Sequence, residues 1–308
     1  MSHLKNDEKE AIIKIKITAG RLRHSMKIST FLSQIDAAVA EGEIKSLDEG
    51  LSILSAQGLS MVDLWASSLE SAHSPKELLV TLKNHNIKVS SIFHPVEFDY
   101  ENEKILEHMR EDTKRRIEDC ASMETRLFMP VPITTKAHSS AAERLDCQKT
   151  VASYLNDVCE IAKPYRVTVI LENFSDLSST YATVEDIDIL LKQVPQLFYV
   201  LDTGNFWFSD NDVYKACELF AEKIRHVHLK DIIPSPDGYL TVNGKSCDSN
   251  ELGSGIIDFD RIFEKLHSVH YDGAVTVEIN SPGELMKKIE LSLRYLKSRK
   301  VGFDICQL

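Results

Sequence analysis

The segment Arg225-His226-Val227-His228-Leu229-Lys230-Asp231 alternates with a period of two, which on a strand aims two imidazoles and an ammonium at one face. Three other apolar runs close on a carboxylate: Val169-Ile170-Leu171-Glu172, Tyr199-Val200-Leu201-Asp202 and Val275-Thr276-Val277-Glu278. A carboxylate at the end of a buried strand is costly unless it is paired or bound to a cation. Glu172, Asp202, His228 and Glu278 are therefore expected to converge on one divalent metal. Three carboxylates and one imidazole make a mostly hard donor set, which favours Mn²⁺, Mg²⁺ or Co²⁺ and admits Zn²⁺.

Four protein ligands on a six-coordinate ion leave room for a substrate to chelate through a carbonyl and a neighbouring hydroxyl. A metal so placed stabilises the charge that develops when a proton leaves the carbon beside the carbonyl. The protein then need add only a base and an acid. Glu172 and Glu278 are the expected pair, working on opposite faces of a metal-bound enediolate to epimerise or isomerise it. Lys230, two residues beyond His228 on the same face, is placed to meet a substrate oxygen or carboxylate as a point charge. Substrate contacts are also expected from Asn205, Trp207, Asp231, and His94 in Ile92-Phe93-His94-Pro95. His226, nearer the strand start, reads as a buried, hydrogen-bonded core histidine.

These side chains need a scaffold that gathers several strand ends. Eight strand candidates occur, at 12–18, 60–65, 88–93, 127–131, 167–172, 198–202, 226–230 and 275–279. Each is followed by a longer amphipathic stretch, among them 74–85, 102–123, 141–162, 184–194, 211–223, 258–270 and 284–298. That rhythm predicts an α/β protein with a parallel sheet, and eight units close a (β/α)₈ TIM barrel. A single domain over 1–308 is expected, with 1–10 a loose N-terminal segment. Two connections, 19–47 and 234–258, exceed what a bare βα loop requires. Following strands, they would lie on the carboxylate rim and could cover the site.

Composition narrows the function classes. The 308 residues carry 43% hydrophobic content, ample for a large core, and a formal net charge of -11, which argues against a sequence-independent grip on phosphate backbones. The charged opening residues lack the apolar core of a secretory signal, and no run approaches the ~20 apolar residues that span a bilayer. A cytoplasmic protein without nucleic-acid or membrane partners is expected. Six cysteines without Cys-X-X-Cys spacing fit reduced thiols in a chain of this length.

From about residue 12 to residue 296 the chain resembles the xylose isomerase-like TIM barrels, the superfamily of sugar phosphate isomerases and epimerases that also holds AP endonuclease family 2. The resemblance rests on Leu171-Glu172-Asn173, Asp202-Thr203-Gly204-Asn205, His228-Leu229-Lys230-Asp231, Leu252-Gly253-Ser254-Gly255 with Asp258, and Tyr271-Asp272-Gly273 leading to Val277-Glu278, all in the family's order. It implies a divalent metal on Glu172, Asp202, His228 and Glu278, with the two glutamates as the acid/base pair. Two departures stand out. Many members carry histidine where this chain has Asn205, and endonuclease IV needs Asp-X-X-His there and Asp-X-His after strand seven, which residues 231–258 lack.

The expected function is a divalent-metal-dependent sugar or sugar-phosphate isomerase or epimerase of carbohydrate metabolism. Its partner would be a small-molecule sugar or polyol-derived ketone, and a homo-oligomer is compatible with the sequence. The nearest alternative is a dehydratase or lyase of a hydroxy-keto compound, of dehydroshikimate or inosose type. An AP endonuclease and a non-catalytic sugar-binding barrel stand further off.

Overall fold

The computed structural model describes residues 25–98, 103–134, 140–176 and 179–299. Eight parallel strands close into a barrel: β1 (Lys27–Phe31), β2 (Met61–Trp65), β3 (Lys88–Phe98), β4 (Leu127–Thr134), β5 (Thr168–Glu172), β6 (Phe198–Asp202), β7 (Ile224–Leu229) and β10 (Ala274–Val277). They adjoin in that order, and β10 pairs with β1. Between β7 and β10 the chain makes an antiparallel hairpin of β8 (Asp231–Leu240) and β9 (Ser246–Asn250). The described residues thus form one (β/α)₈ barrel, as expected. No helix among them is long and apolar enough to cross a membrane, and their five cysteines are buried and free.

Strand alternation sorts the side chains into two cores. The larger lies between strands and helices, and holds Ile28, Val62, Leu64, Leu171, Leu201, Val227, Leu229, Val275 and Val277. The smaller holds Phe31, Phe93, Met129, Val131, Ile170 and Val200. The helices bury complementary stripes. Phe259–Ser268, capped by Asp258, buries Phe259, Ile262, Phe263 and Leu266, the i, i+3, i+4, i+7 pattern. Val184–Gln193 opens on a capping box of Thr183 and Asp186.

The first strand differs from expectation. The run at 12–18 lies outside the described residues, and the barrel's first strand is β1. The stretch 19–47, expected as one long loop, carries from residue 27 onward β1 and the helix Leu32–Ala40. Polar residues hid the strand. Ser29 and Thr30 are fully buried, and their hydroxyls are satisfied by Ser90 Oγ at 3.1 Å and by Gln34 Oε1 and Val277 O at 2.9 and 3.1 Å. Partners up to 247 residues away cannot be seen in a local pattern. The second long connection, 234–258, holds the rest of the hairpin, including β9.

Register sets the height of the ligands. Asp202 on β6 and Thr276 on β10 both pair with His228 on β7, and the Glu278 amide donates to Leu229 O at 3.0 Å. All lie at the C-terminal ends of the strands, where barrel enzymes hold their chemistry. Asp231 roots the hairpin. Its buried carboxylate accepts N–H groups from Ile232 and Ile257 on Oδ1 (3.0 and 3.1 Å) and from Gly253 and Gly255 on Oδ2 (2.8 and 2.9 Å). A Cβ at position 255 would lie 2.3 Å from Asp231 Oδ1, so glycine is needed for this approach. Because charge-assisted bonds are worth about 1.5–3 kcal/mol each and buried orphans are costly, Asp231→Ala is expected to cost on the order of 3 kcal/mol or more in urea unfolding. Unchanged stability with an altered KM would contradict that placement.

Candidate functional site

Glu172, Asp202, His228 and Glu278 each bring one donor atom to within 4.8 Å of the others. His228 presents Nδ1 to this cluster, 2.5 Å from Glu172 Oε1 and 3.6 Å from Glu278 Oε2. Asp202 divides its oxygens. Oδ1 accepts the Gly204 and Asn205 amides at 2.8 and 2.6 Å, a turn that leaves buried Oδ2 without a hydrogen bond. Asn173 braces the same turn, accepting from Tyr199 Oη at 2.6 Å and the Asp202 amide at 3.2 Å, while the Asn205 side chain donates to Asn173 O at 2.9 Å.

Lys230 supplies the counter-charge. Its ammonium lies 2.8 Å from Glu278 Oε1, 3.2 Å from Asp202 Oδ2 and 3.0 Å from Asn205 Oδ1. Gly204 makes room for it, since a Cβ there would meet the Lys230 side chain at 2.8 Å. Burial works against the ammonium, but the attraction of Asp202, then Glu278 and Glu172, outweighs it and holds Lys230 protonated well above its ordinary range. Burial also opposes a charged His228, yet Glu172 and Asp63 raise it well above a usual imidazole. Burial raises the Glu172 carboxyl in spite of His228 beside it. The His228–Glu172 pair therefore retains a proton.

Under this cluster lies a second group, Asp63, His226 and His228, all buried. Asp63 Oδ2 is 2.8 Å from His226 Nε2 and 3.4 Å from His228 Nε2. Its Oδ1 accepts the hydroxyls of Ser90 and Ser91. A register shift where β2 meets β3 turns both consecutive serines toward this carboxylate. Burial would raise Asp63, but the pull of His226, together with His228, holds it well below the carboxylate range. His226 is thus a core histidine, as expected.

A cavity of about 620 Å³ opens over the cluster and is lined by Glu172, Asn205, His228, Lys230 and Glu278 among others. The other expected contacts are not part of its lining. His94 turns to Asp112, 2.6 Å away. Trp207 is 37% exposed beneath the Lys245 ammonium, and Asp231 is consumed by the hairpin root. The hairpin does reach the cavity, through Tyr239, Leu240 and Val242. Sequence reasoning passed over Asp63 and the aromatic wall of Phe31, Trp65 and Phe93. The signal for Asp63 was a lone charge inside Met61-Val62-Asp63-Leu64-Trp65, which must be paired once buried.

The donor set fits a divalent cation. A double positive charge together with the Lys230 ammonium balances three carboxylates, and Asp202 Oδ2 and His228 Nδ1 face inward for it. His228 Nε2 then points at Asp63, the carboxylate–histidine–metal arrangement that orients a ligand. Calorimetry with Mn²⁺ is expected to show about 10–100-fold weaker binding in Asp63→Asn; equal affinity would deny Asp63 that role. Binding must also displace the proton of the His228–Glu172 pair. Affinity is therefore expected to rise as pH rises, by about tenfold per unit for one proton, with the released proton detected by comparing buffers of different ionisation enthalpy. A pH-independent affinity would contradict the shared proton.

Comparison with known proteins agrees with this architecture. The model of the xylose isomerase-like TIM barrel family matches residues 52–299. An inosose isomerase of Bacillus velezensis is 25% identical over 214 residues, 68% of this chain and 73% of that protein. An inosose dehydratase of Clostridium tetani is 28% identical over 186 residues, 57% of this chain and 58% of that protein. The crystal structure of the IOLI protein with a bound zinc atom superposes with a TM-score of 0.70 at 20% identity, covering 88% of this chain and 96% of that one. With the family model spanning most of its length, the chain belongs to the xylose isomerase-like TIM barrels.

Proposed function

We propose that this protein is a divalent-metal-dependent isomerase or epimerase that moves a proton next to the carbonyl of a sugar or polyol-derived ketone. The observation that carries this reading is the accessibility of the four ligands. Asp202 and His228 are sealed, with side chains 0% and 1% exposed, whereas Glu172 and Glu278 open to the cavity at 14% and 18%. The two glutamates flank the cluster, on β5 and just past β10, with β6 and β7 between them. They are the carboxylates that can hold a metal with one oxygen and face a substrate with the other.

A divalent metal held by Glu172, Asp202, His228 and Glu278 would polarise the ketone and a neighbouring hydroxyl. One glutamate accepts the proton from the carbon beside the carbonyl, and the C–H electron pair moves into the new carbon–carbon double bond while the carbonyl pair moves onto oxygen. The other glutamate returns a proton to the opposite face of the same carbon, giving the epimer, or to the former carbonyl carbon, giving the isomer as the proton of the neighbouring hydroxyl passes to the former carbonyl oxygen and that hydroxyl becomes the new carbonyl. Lys230, 2.8 Å from Glu278 and 3.2 Å from Asp202, is placed to stabilise oxygen charge.

A lyase reading shares the first step and differs only in the fate of the enediolate, which expels a β-hydroxyl as water once a glutamate protonates it. The curated relatives carry both names, inosose isomerase and inosose dehydratase.

Proton NMR in deuterated water with the Mg²⁺-loaded protein tests both. Exchange at a carbon beside the ketone with every hydroxyl retained is expected, lowered by about 10²-fold or more in Glu172→Gln and Glu278→Gln. A conjugated product absorbing in the ultraviolet would transfer the assignment to the lyase. Silence with metal demonstrably bound, across sugars, keto-glycosides and inososes, would sink both.

A further inference from the structure

Three of the four donors stand on paired strand backbone. Glu172 is the last residue of β5 and pairs with Val200, Asp202 is the last of β6 and pairs with His228, and His228 pairs in turn with Thr276. Glu278 differs. It lies one residue past β10, whose pairing with β1 and β7 stops at Val277. Its amide still reaches Leu229 O at 3.0 Å, but from there the chain leaves the sheet. A side chain carried on such backbone is only as well placed as the bonds that hold the segment.

Side chains from two distant elements supply those bonds. The Thr30 hydroxyl meets Val277 O at 3.1 Å and Gln34 Oε1 at 2.9 Å, and Gln34 Nε2 donates to Ile279 O at 2.6 Å. The carbonyls on either side of Glu278 are thus held from β1 and from the helix Leu32–Ala40. Ser249 on β9 takes the next two residues: its hydroxyl accepts the Asn280 amide at 2.7 Å, and its carbonyl accepts the Ser281 amide at 3.1 Å. Ser249 and Gln34 are both buried, so a lost partner would leave a buried amide or carbonyl unpaired. Ser249 lies outside the cavity lining, yet it faces Ile232 on β8, the strand that carries Tyr239 and Leu240 to the cavity mouth. The hairpin that edges the cavity is therefore bonded at its base to the segment that carries Glu278.

Resting on the reading of Glu278 as a metal ligand and proton-transfer group, we infer that Ser249 and Gln34 are positioning residues for Glu278. They act through the Asn280 amide and the Ile279 carbonyl, and set the height and direction of the glutamate so that one oxygen meets the metal position and the other faces the cavity. A displacement of about 1 Å at a reacting group costs on the order of 10²-fold in rate, which makes two hydrogen bonds outside the chemistry a measurable part of it.

The test is a double-variant cycle on the full chain, read by calorimetry with Mn²⁺ alone. Ser249→Ala is expected to weaken binding about tenfold when Glu278 is present, and to have no further effect in Glu278→Ala, where there is no glutamate left to position. Residues that act independently would give the same loss in both backgrounds; that result, or unchanged affinity in Ser249→Ala, overturns the inference. Gln34→Met keeps the side-chain volume without the amide, repeats the cycle from the other side of Glu278, and decides it if Ser249→Ala does not fold. In hydrogen exchange at saturating Mg²⁺, Ser249→Ala is expected to lose about tenfold in kcat with KM unchanged, whereas a rise in KM alone would overturn the role. If no ketone exchanges, the proton-transfer reading fails, and the metal cycle still decides whether Ser249 and Gln34 hold Glu278.

Discussion

Three carboxylates held around one imidazole at the mouth of a barrel repel one another, and much of the surrounding structure serves to offset that repulsion. Two unit charges 4 Å apart interact by about 4 kcal/mol at the effective dielectric of a protein surface, a large fraction of a domain's net stability. Lys230 meets part of it by standing between Asp202 and Glu278. The proton kept by His228 and Glu172 meets another part. The donor set that remains calls for a divalent cation, so the same charge crowding that strains the bare barrel creates its capacity to bind metal.

Support for this cluster runs downward through the barrel interior. Asp63 receives two serine hydroxyls on one oxygen and faces two histidines with the other, so its charge is satisfied from every side, as a fully buried carboxylate requires. That stack orients His228 from below while Asp202 is oriented from the side by its own turn. The direction of Asp202 is thereby set by hydrogen bonds already made in the fold, and that of His228 by the Asp63 carboxylate 3.4 Å beneath its Nε2. The two glutamates, each held through one oxygen by His228 or Lys230, are the ligands that open to the cavity.

The barrel also separates two solvents within one pocket. Glu172, His228, Lys230 and Glu278 supply its charged floor, and Phe31, Trp65 and Phe93 on β1 to β3 supply a wall of rings. Water excluded by the aromatic side lowers the local dielectric and strengthens every charge interaction on the other side. The hairpin after β7 extends the apolar side outward, and its root is tied by Asp231 to the amides of Gly253, Gly255 and Ile257. A residue that reads as part of a catalytic motif is in this chain the anchor of a loop that shapes the pocket's edge.

Much was legible in the sequence because it is local. The period-two runs ending in Glu172, Asp202, His228 and Glu278, and the amphipathic helices between them, follow from backbone geometry and the segregation of apolar residues, so seven of the eight strands and the barrel itself could be read directly. The strand β1 could not, because its buried Ser29 and Thr30 look exposed until partners on β3 and β10 satisfy them. Direction was equally hidden. That His94 turns to Asp112 and Trp207 to solvent, that Asp63 lies under His226 and His228, and that Phe31, Trp65 and Phe93 pack together in the pocket wall are consequences of register and closure. The sequence determined which chemical groups stand at the strand ends; only the closed barrel decided which of them meet, since contacts between residues as far apart as Asp63 and His226 arise from strand pairing and not from any local pattern.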